Sequence, residues 1–119
     1  MRALIYHEAE TWALLEPMAA ELAKREPQEL GWWVNWGFAT RRTTDIPTAR
    51  KILLDAERLH PESAIIHFNL GCYACQLGEL DEAKRRVSKA IHFDASFRAI
   101  AAADSDLEPI WDKISAGLV

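Results

Sequence analysis

A chain of 119 residues, half of them hydrophobic, is long enough for one domain with a continuous core. Its formal net charge of −4, with both signs interspersed, argues against a nucleic-acid surface, which needs a basic stripe, and no apolar run reaches membrane-spanning length. Two cysteines cannot build the disulfide framework of a small secreted domain, and the opening Met1-Arg2-Ala3-Leu4-Ile5 is interrupted by His7, Glu8 and Glu10 too soon for a signal peptide, so a cytoplasmic protein is expected.

In residues 1–29, Leu15, Ala19 and Leu22 recur at helical spacing. Pro17 lacks a donor and crowds the preceding turn, so it is expected to kink this helix or to start it in place of Thr11. From residue 30 the chain repeats itself. Trp33, Trp36, Gly37, Ala49, Ala56 and Pro61 each have a counterpart one constant step later, in His67, Leu70, Gly71, Ala83, Ala90 and Ala95. A fixed step of about 34 residues marks stacked two-helix units, none of which can bury its apolar face alone. Residues 30–63 and 64–97 therefore each read as helix, tight turn and helix, with Asp45 capping the helix that carries Pro47 and Ser63 capping the next helix, to Leu77. Pro27 precedes Pro61 by the same step, which makes residues 1–29 the second helix of a partial earlier repeat. After Phe97 the register stops, and residues 98–119 read as capping helices. A short helix is expected near 97–103, then one from Asp106 to Ile114 started by a Ser105 and Glu108 capping box.

The small residues explain how such units pack. Gly37 and Gly71 are expected to face Ala49 and Ala83 at a close helix crossing, with Trp33, Trp36, Leu53, Leu70 and Val87 filling the seam. Trp32 is expected to pack on the N-terminal helix, and His67, in a core aromatic's place, to be a hydrogen-bonded core histidine. The basic run Lys84-Arg85-Arg86 reads as a solvated outer face.

This pattern resembles the tetratricopeptide repeat, whose first helix carries Trp, Leu-Gly and Tyr and whose second carries Ala, an aromatic, Ala and Pro. Residues 30–63 keep Trp33, Gly37, both alanines and Pro61; residues 64–97 keep Leu70-Gly71, Gly78, Ala83 and Ala90. Trp36 replaces the Leu, Thr40 and Ala74 the Tyr, His67 the Trp and Ala95 the Pro. The ending Asp104-Ser105-Asp106-Leu107-Glu108-Pro109-Ile110-Trp111 is similar to that of small bacterial proteins of this family. The resemblance implies an all-α fold of antiparallel helix-turn-helix repeats stacked as a short right-handed α-solenoid. It also implies a non-catalytic scaffold that binds a protein or peptide in a concave groove lined by the first helices. Carried over position by position, that groove holds Gly31, Val34, Phe38, Arg41 and Arg42, then Ile65, Phe68, Cys72, Cys75 and Gln76: an apolar strip ending in two arginines. Relatives that serve heat-shock chaperones clamp a C-terminal carboxylate with Lys and Asn; Val34 and Phe38 stand at those places here, which excludes that ligand, although Asn69 matches one clamp position. The strip has two alternative covers, the chain's own C-terminal helix and a second copy in a homo-oligomer.

Other chemistry is poorly served. Cys72 and Cys75 form a Cys-x-x-Cys, but mid-helix and without a second pair, so they read as groove lining rather than as a redox couple or zinc site. Asp104, Asp106 and Glu108 lack the Gly of a calcium loop and read as helix caps. There is no phosphate loop, nucleophile elbow or His-Glu-x-x-His, so neither an enzyme nor a cofactor is expected.

Overall fold

The period of the sequence reappears in the helix boundaries. In the computed structural model, which describes the backbone of residues 2–119 and the side chains of residues 11–119, the helices are α1 (Arg2–Arg25), α2 (Leu30–Thr43), α3 (Ile46–Leu59), α4 (Ala64–Gln76), α5 (Leu80–Phe93), α6 (Phe97–Ala103) and α7 (Trp111–Ser115). A 3-10 turn, Ser105–Ile110, joins the last two, and no strand occurs among the described residues. α4 begins one period after α2, α5 begins one period after α3, and α1, α3 and α5 end at Arg25, Leu59 and Phe93, again one period apart. The protein is all-α. It forms two compact units, Met1–His60 and Pro61–Val119. In the first, α1 packs on α2 and α2 on α3; in the second, α4 packs on α5 and on the 3-10 turn, and α6 packs on α5 and α7.

Local chemistry sets most of these boundaries. Asp45 accepts from the Thr48 N–H at 2.7 Å and Pro47 occupies the first turn of α3, while Ser63 accepts from the Ile66 N–H at 3.3 Å to open α4. α4 closes at Gly78, whose φ of 80° lies in the left-handed region, and the amide of Glu79 turns back to the Ala74 carbonyl at 2.9 Å.

Pro17 neither starts nor ends a helix. α1 runs through it unbroken, and Ala13 and Pro17 are both exposed, so the carbonyl deprived of its amide belongs to the solvent side of the helix. The third repeat also begins in register, since α6 starts within one residue of the expected place. It then stops at Ala103 because Asp104 and Ser105 occupy the Leu-Gly positions. Ser105 is not the cap of a helix over 106–114. Asp104 caps instead, accepting from the Asp106 N–H at 2.9 Å, and the segment splits into the 3-10 turn, which contains Pro109, and α7.

The seams are dominated by small residues. Ala49, Ala56, Ala83 and Ala90 are fully buried, with Leu53 and Val87 beside them at 0% exposure. The atoms nearest to the glycines belong to the bulky residues of the seam. A Cβ on Gly37 would stand 2.9 Å from a Leu53 methyl, and one on Gly71 would stand 2.9 Å from a Val87 methyl, 3.3 Å from the Arg86 Cβ and 3.4 Å from the backbone oxygen of Ala83. Leu53 and Val87 are themselves one period apart, so the crossing is the same in both hairpins.

Candidate interaction site

The expected groove residues fall into two sets with different surroundings. In the first unit, Val34 and Arg41 are half-buried, while Gly31, Phe38 and Arg42 are exposed. Phe38 keeps 38% of its surface and stands edge-on to Trp12 of α1 at 5.2 Å between ring centroids. The Arg42 guanidinium lies over the Phe38 ring at 3.6 Å and 4.8 Å from the Trp12 ring, and its Nη1 donates to the Phe38 carbonyl at 3.0 Å. Two turns of α2 and one of α1 thus present an aromatic pair topped by a cation.

In the second unit the corresponding set is covered by the chain itself. Ile65 and Asn69 are half-buried, but Phe68, Cys72 and Cys75 are buried, contrary to their expected place on an open strip. The Phe97 ring of α6 packs on Phe68 at 5.1 Å, and Gln76 Nε2 donates to the Asp106 carbonyl at 2.9 Å. The C-terminal segment, one of the two alternative covers, therefore fills this half, because an apolar strip of that size is stable only when covered.

Both cysteines are free thiols. Burial pushes the Cys75 thiol above its ordinary value and the Asp106 carboxylate adds to the shift, the opposite of what activates a redox cysteine. The Cys72 Sγ and one carboxylate oxygen each of Asp104 and Asp106 come within 4.8 Å of one another, a neighbourhood the Cys-x-x-Cys spacing gave no sign of. Asp104 is engaged there as the cap of the 3-10 turn.

His67 repeats the hydrogen bond of the tryptophan it replaces. Trp33 Nε1 donates to the Pro27 carbonyl at 2.9 Å, and one period later His67 Nε2 lies 2.8 Å from the Pro61 carbonyl. A carbonyl only accepts, so the hydrogen is on Nε2 and Nδ1 is left as an acceptor. Arg86 Nη1 supplies the donor at 3.0 Å. Arg86 is therefore not on a solvated face: it is 6% exposed, and its Nε donates to Glu82 Oε2 at 3.1 Å. Arg85, by contrast, is exposed and grips both oxygens of Glu82, at 2.7 and 2.8 Å. Its unit-one counterpart explains why the basic run misled. Ile52 stands one period before Arg86 and is 7% exposed, so the position is a core position in either chemistry. Trp36, expected in the core, is half-buried, lying 5.7 Å from Trp33 with the Lys24 ammonium 5.8 Å from its ring. Trp32 is half-buried and edges a shallow hollow with Glu26, Glu29 and Asn35.

The hydrogen bond from Arg85, reinforced by that from Arg86, holds the Glu82 carboxyl down from 4.5 to about 2 against the opposing effect of burial. A carboxyl depressed on folding binds fewer protons in the folded chain. Its contribution to stability is complete above about pH 4.5 and is lost as the pH falls toward about 2. Glu82→Gln should flatten the acid limb of stability over that interval in urea titrations. An acid limb identical to that of the parent would remove Glu82 from the account.

No protein-family model matches the chain, and no curated protein is significantly similar to it. None of the described helices is long and apolar enough to cross a membrane.

Proposed function

We propose that this chain is a non-catalytic interaction module of the tetratricopeptide kind, which holds a peptide or protein segment against the Phe38 and Arg42 face of α2. The observation that carries this reading is the contrast between two faces in the same register. Val34, Phe38, Arg41 and Arg42 stand one period before Phe68, Cys72, Cys75 and Gln76. The later face holds a short helix and a 3-10 turn of its own chain, through one aromatic contact and one side-chain donor to a backbone carbonyl. The earlier face keeps an exposed aromatic, Phe38, and sets Arg42 where Gln76 makes its donation. The ligand chemistry that suits it is a short helical or turn segment with an apolar anchor for the Phe38 and Trp12 pair and a carbonyl or carboxylate for the arginine.

Affinity capture from a lysate of the source cell, repeated with a Phe38→Ala, Arg42→Ala double variant, tests the reading. A partner retained by the parent should bind the double variant more weakly by about 1–3 kcal/mol in subsequent calorimetry. Both side chains are exposed enough that circular dichroism should not change. A partner that ignores both and depends on Lys84 and Arg85 would move the site to α5.

A further inference from the structure

The junction between α4 and the 3-10 turn gathers side chains that no sequence motif connects. Cys72 and Cys75 stand one turn apart on α4, while Asp104 and Asp106 come from the start of the 3-10 turn, beyond α5 and α6. The Cys72 Sγ and one carboxylate oxygen of each aspartate lie within 4.8 Å of one another. Zinc bonds of about 2.0–2.3 Å to oxygen and sulfur set two ligand atoms roughly 3–4 Å apart, so small side-chain rotations close the remaining gap. The backbone that carries the two acids is held in place. Leu107 and Ile110 of the turn are buried, Gln76 Nε2 donates to the Asp106 carbonyl at 2.9 Å, and Asp104 Oδ1 accepts from the Asp106 N–H at 2.9 Å. A carboxylate has two oxygens, so the bond that orients Asp104 leaves the other oxygen for a ligand.

A second observation is independent of that convergence. Cys75 is a free thiol, 4% exposed, that makes no hydrogen bond among the described residues, and the Asp106 carboxylate is near enough to act on it. Two buried thiols and two carboxylates therefore share one neighbourhood. One period earlier the thiol positions hold Phe38 and Arg41, neither of which is a ligand, so the set belongs to the second unit alone. Two carboxylates this close repel each other, and a divalent cation between them converts the repulsion into attraction. A thiolate joined with carboxylate oxygens is a mixed soft and hard set, which suits zinc and its cadmium analogue rather than calcium or magnesium, whose ligands are oxygens alone. The second half of a zinc site need not be another cysteine pair. We infer that Cys72, Asp104 and Asp106 bind one zinc-class divalent cation, with the Cys75 thiol beside the fourth position. Binding replaces the Cys72 thiol proton, released to solvent, by a metal-sulfur bond. The ion ties the 3-10 turn to α4 and takes nothing from the Phe38 and Arg42 face.

Titration of the metal-stripped, reduced full chain with zinc against a chromophoric chelator should show one site per chain. Cadmium should give a thiolate-to-metal charge-transfer band in the ultraviolet. Asp104→Asn, which keeps an acceptor for the cap, and Asp106→Asn should each weaken zinc binding by at least about tenfold with the helical circular dichroism retained. Cys72→Ser should do the same, and Cys72→Ser with Cys75→Ser should abolish the cadmium band. Asp112→Asn, at an exposed acid of α7, should change nothing. Zinc should also raise the melting temperature of the parent and not that of Asp106→Asn, a readout that does not depend on tolerance of serine at a buried position. A parent that binds no equivalent of zinc overturns the proposal. So does binding that survives both asparagine variants, or that is lost with Asp112→Asn instead. The Phe38→Ala, Arg42→Ala double variant should bind zinc as the parent does, so loss of the metal and loss of a peptide partner are read separately.

Discussion

Arg86→Ile is expected to destabilise the fold by about 1–3 kcal/mol, because it leaves the buried Nδ1 of His67 without its donor and deprives Glu82 of one partner. The variant copies what the first unit does at that position, where Ile52 lies against a hairpin built around Trp33. The informative comparison is therefore the double variant His67→Trp with Arg86→Ile, which moves the apolar seam of the first hairpin into the second. It keeps the ring donor to the Pro61 carbonyl and removes both the orphaned acceptor and the need for a buried cation. Urea midpoints should show the double variant recovering at least half of the loss. Lys84→Ala and Arg85→Ala, outside the buried chain of bonds, should each stay within about 1 kcal/mol of the parent. A double variant less stable than Arg86→Ile alone would show that the two seams are not interchangeable and that the shared hydrogen bond is incidental.

Gly71→Ala should cost about 1–3 kcal/mol, although alanine is the better helix former by up to about 1 kcal/mol. The new methyl would stand 2.9 Å from a branched, stiff Val87 side chain, 3.3 Å from the Arg86 Cβ and 3.4 Å from a backbone oxygen, so relief requires moving the helix. Gly37→Ala meets first the Leu53 side chain, a methyl at 2.9 Å and Cγ at 3.1 Å, so a shift of that one buried side chain relieves it where Gly71→Ala also meets a backbone oxygen. It should lie within about 1 kcal/mol of the parent, with either sign, since gained propensity offsets the contact. Thermal melts of the two variants under one set of conditions make the comparison. Equal melting temperatures would mean that the crossing is looser than these distances imply.

The period, the helix positions and the caps at Asp45 and Ser63 were legible because each rests on local signals that recur. What was not legible depended on which face a position presents. The run Lys84-Arg85-Arg86 looks uniform, yet only one of its three residues turns inward, and only the spatial nearness of His67 makes an arginine acceptable there. Comparing it with Ile52 one period earlier would have exposed this. The burial of Phe68 and Cys72 was one of two readings left open, since the strip could be covered by the chain's own C-terminal helix or by a second copy. The cover comes from α6 and the 3-10 turn, which Asp104 opens as its cap and whose Leu107 and Ile110 are themselves buried. Pro17 does not start a helix, and its cost is small where the broken hydrogen bond lies on the solvent side. Phe38 and Arg42, which the resemblance assigns to the groove, are exposed, and the approach of Trp12 to them had no sequence signal.

The side-chain bonds described for these hairpins close inside one period: Pro27 to Trp33, Pro61 to His67, His67 to Arg86, Gln76 to Asp106, 30 residues apart, and at the far limit His60 to the Pro27 carbonyl, 33 residues apart. Loops that short cost little entropy to close, and chains rich in local contacts fold quickly. During synthesis the consequence is an order of events. Gly37 has met Leu53, and Trp33 has its carbonyl, once His60 has left the ribosome, so these contacts of the first unit wait for no later residue. The second unit cannot do the same at its own hairpin. Phe68, Cys72 and Cys75 stay uncovered until Phe97 and the turn beyond it have emerged, and that interval is when the nascent chain is most open to wrong contacts.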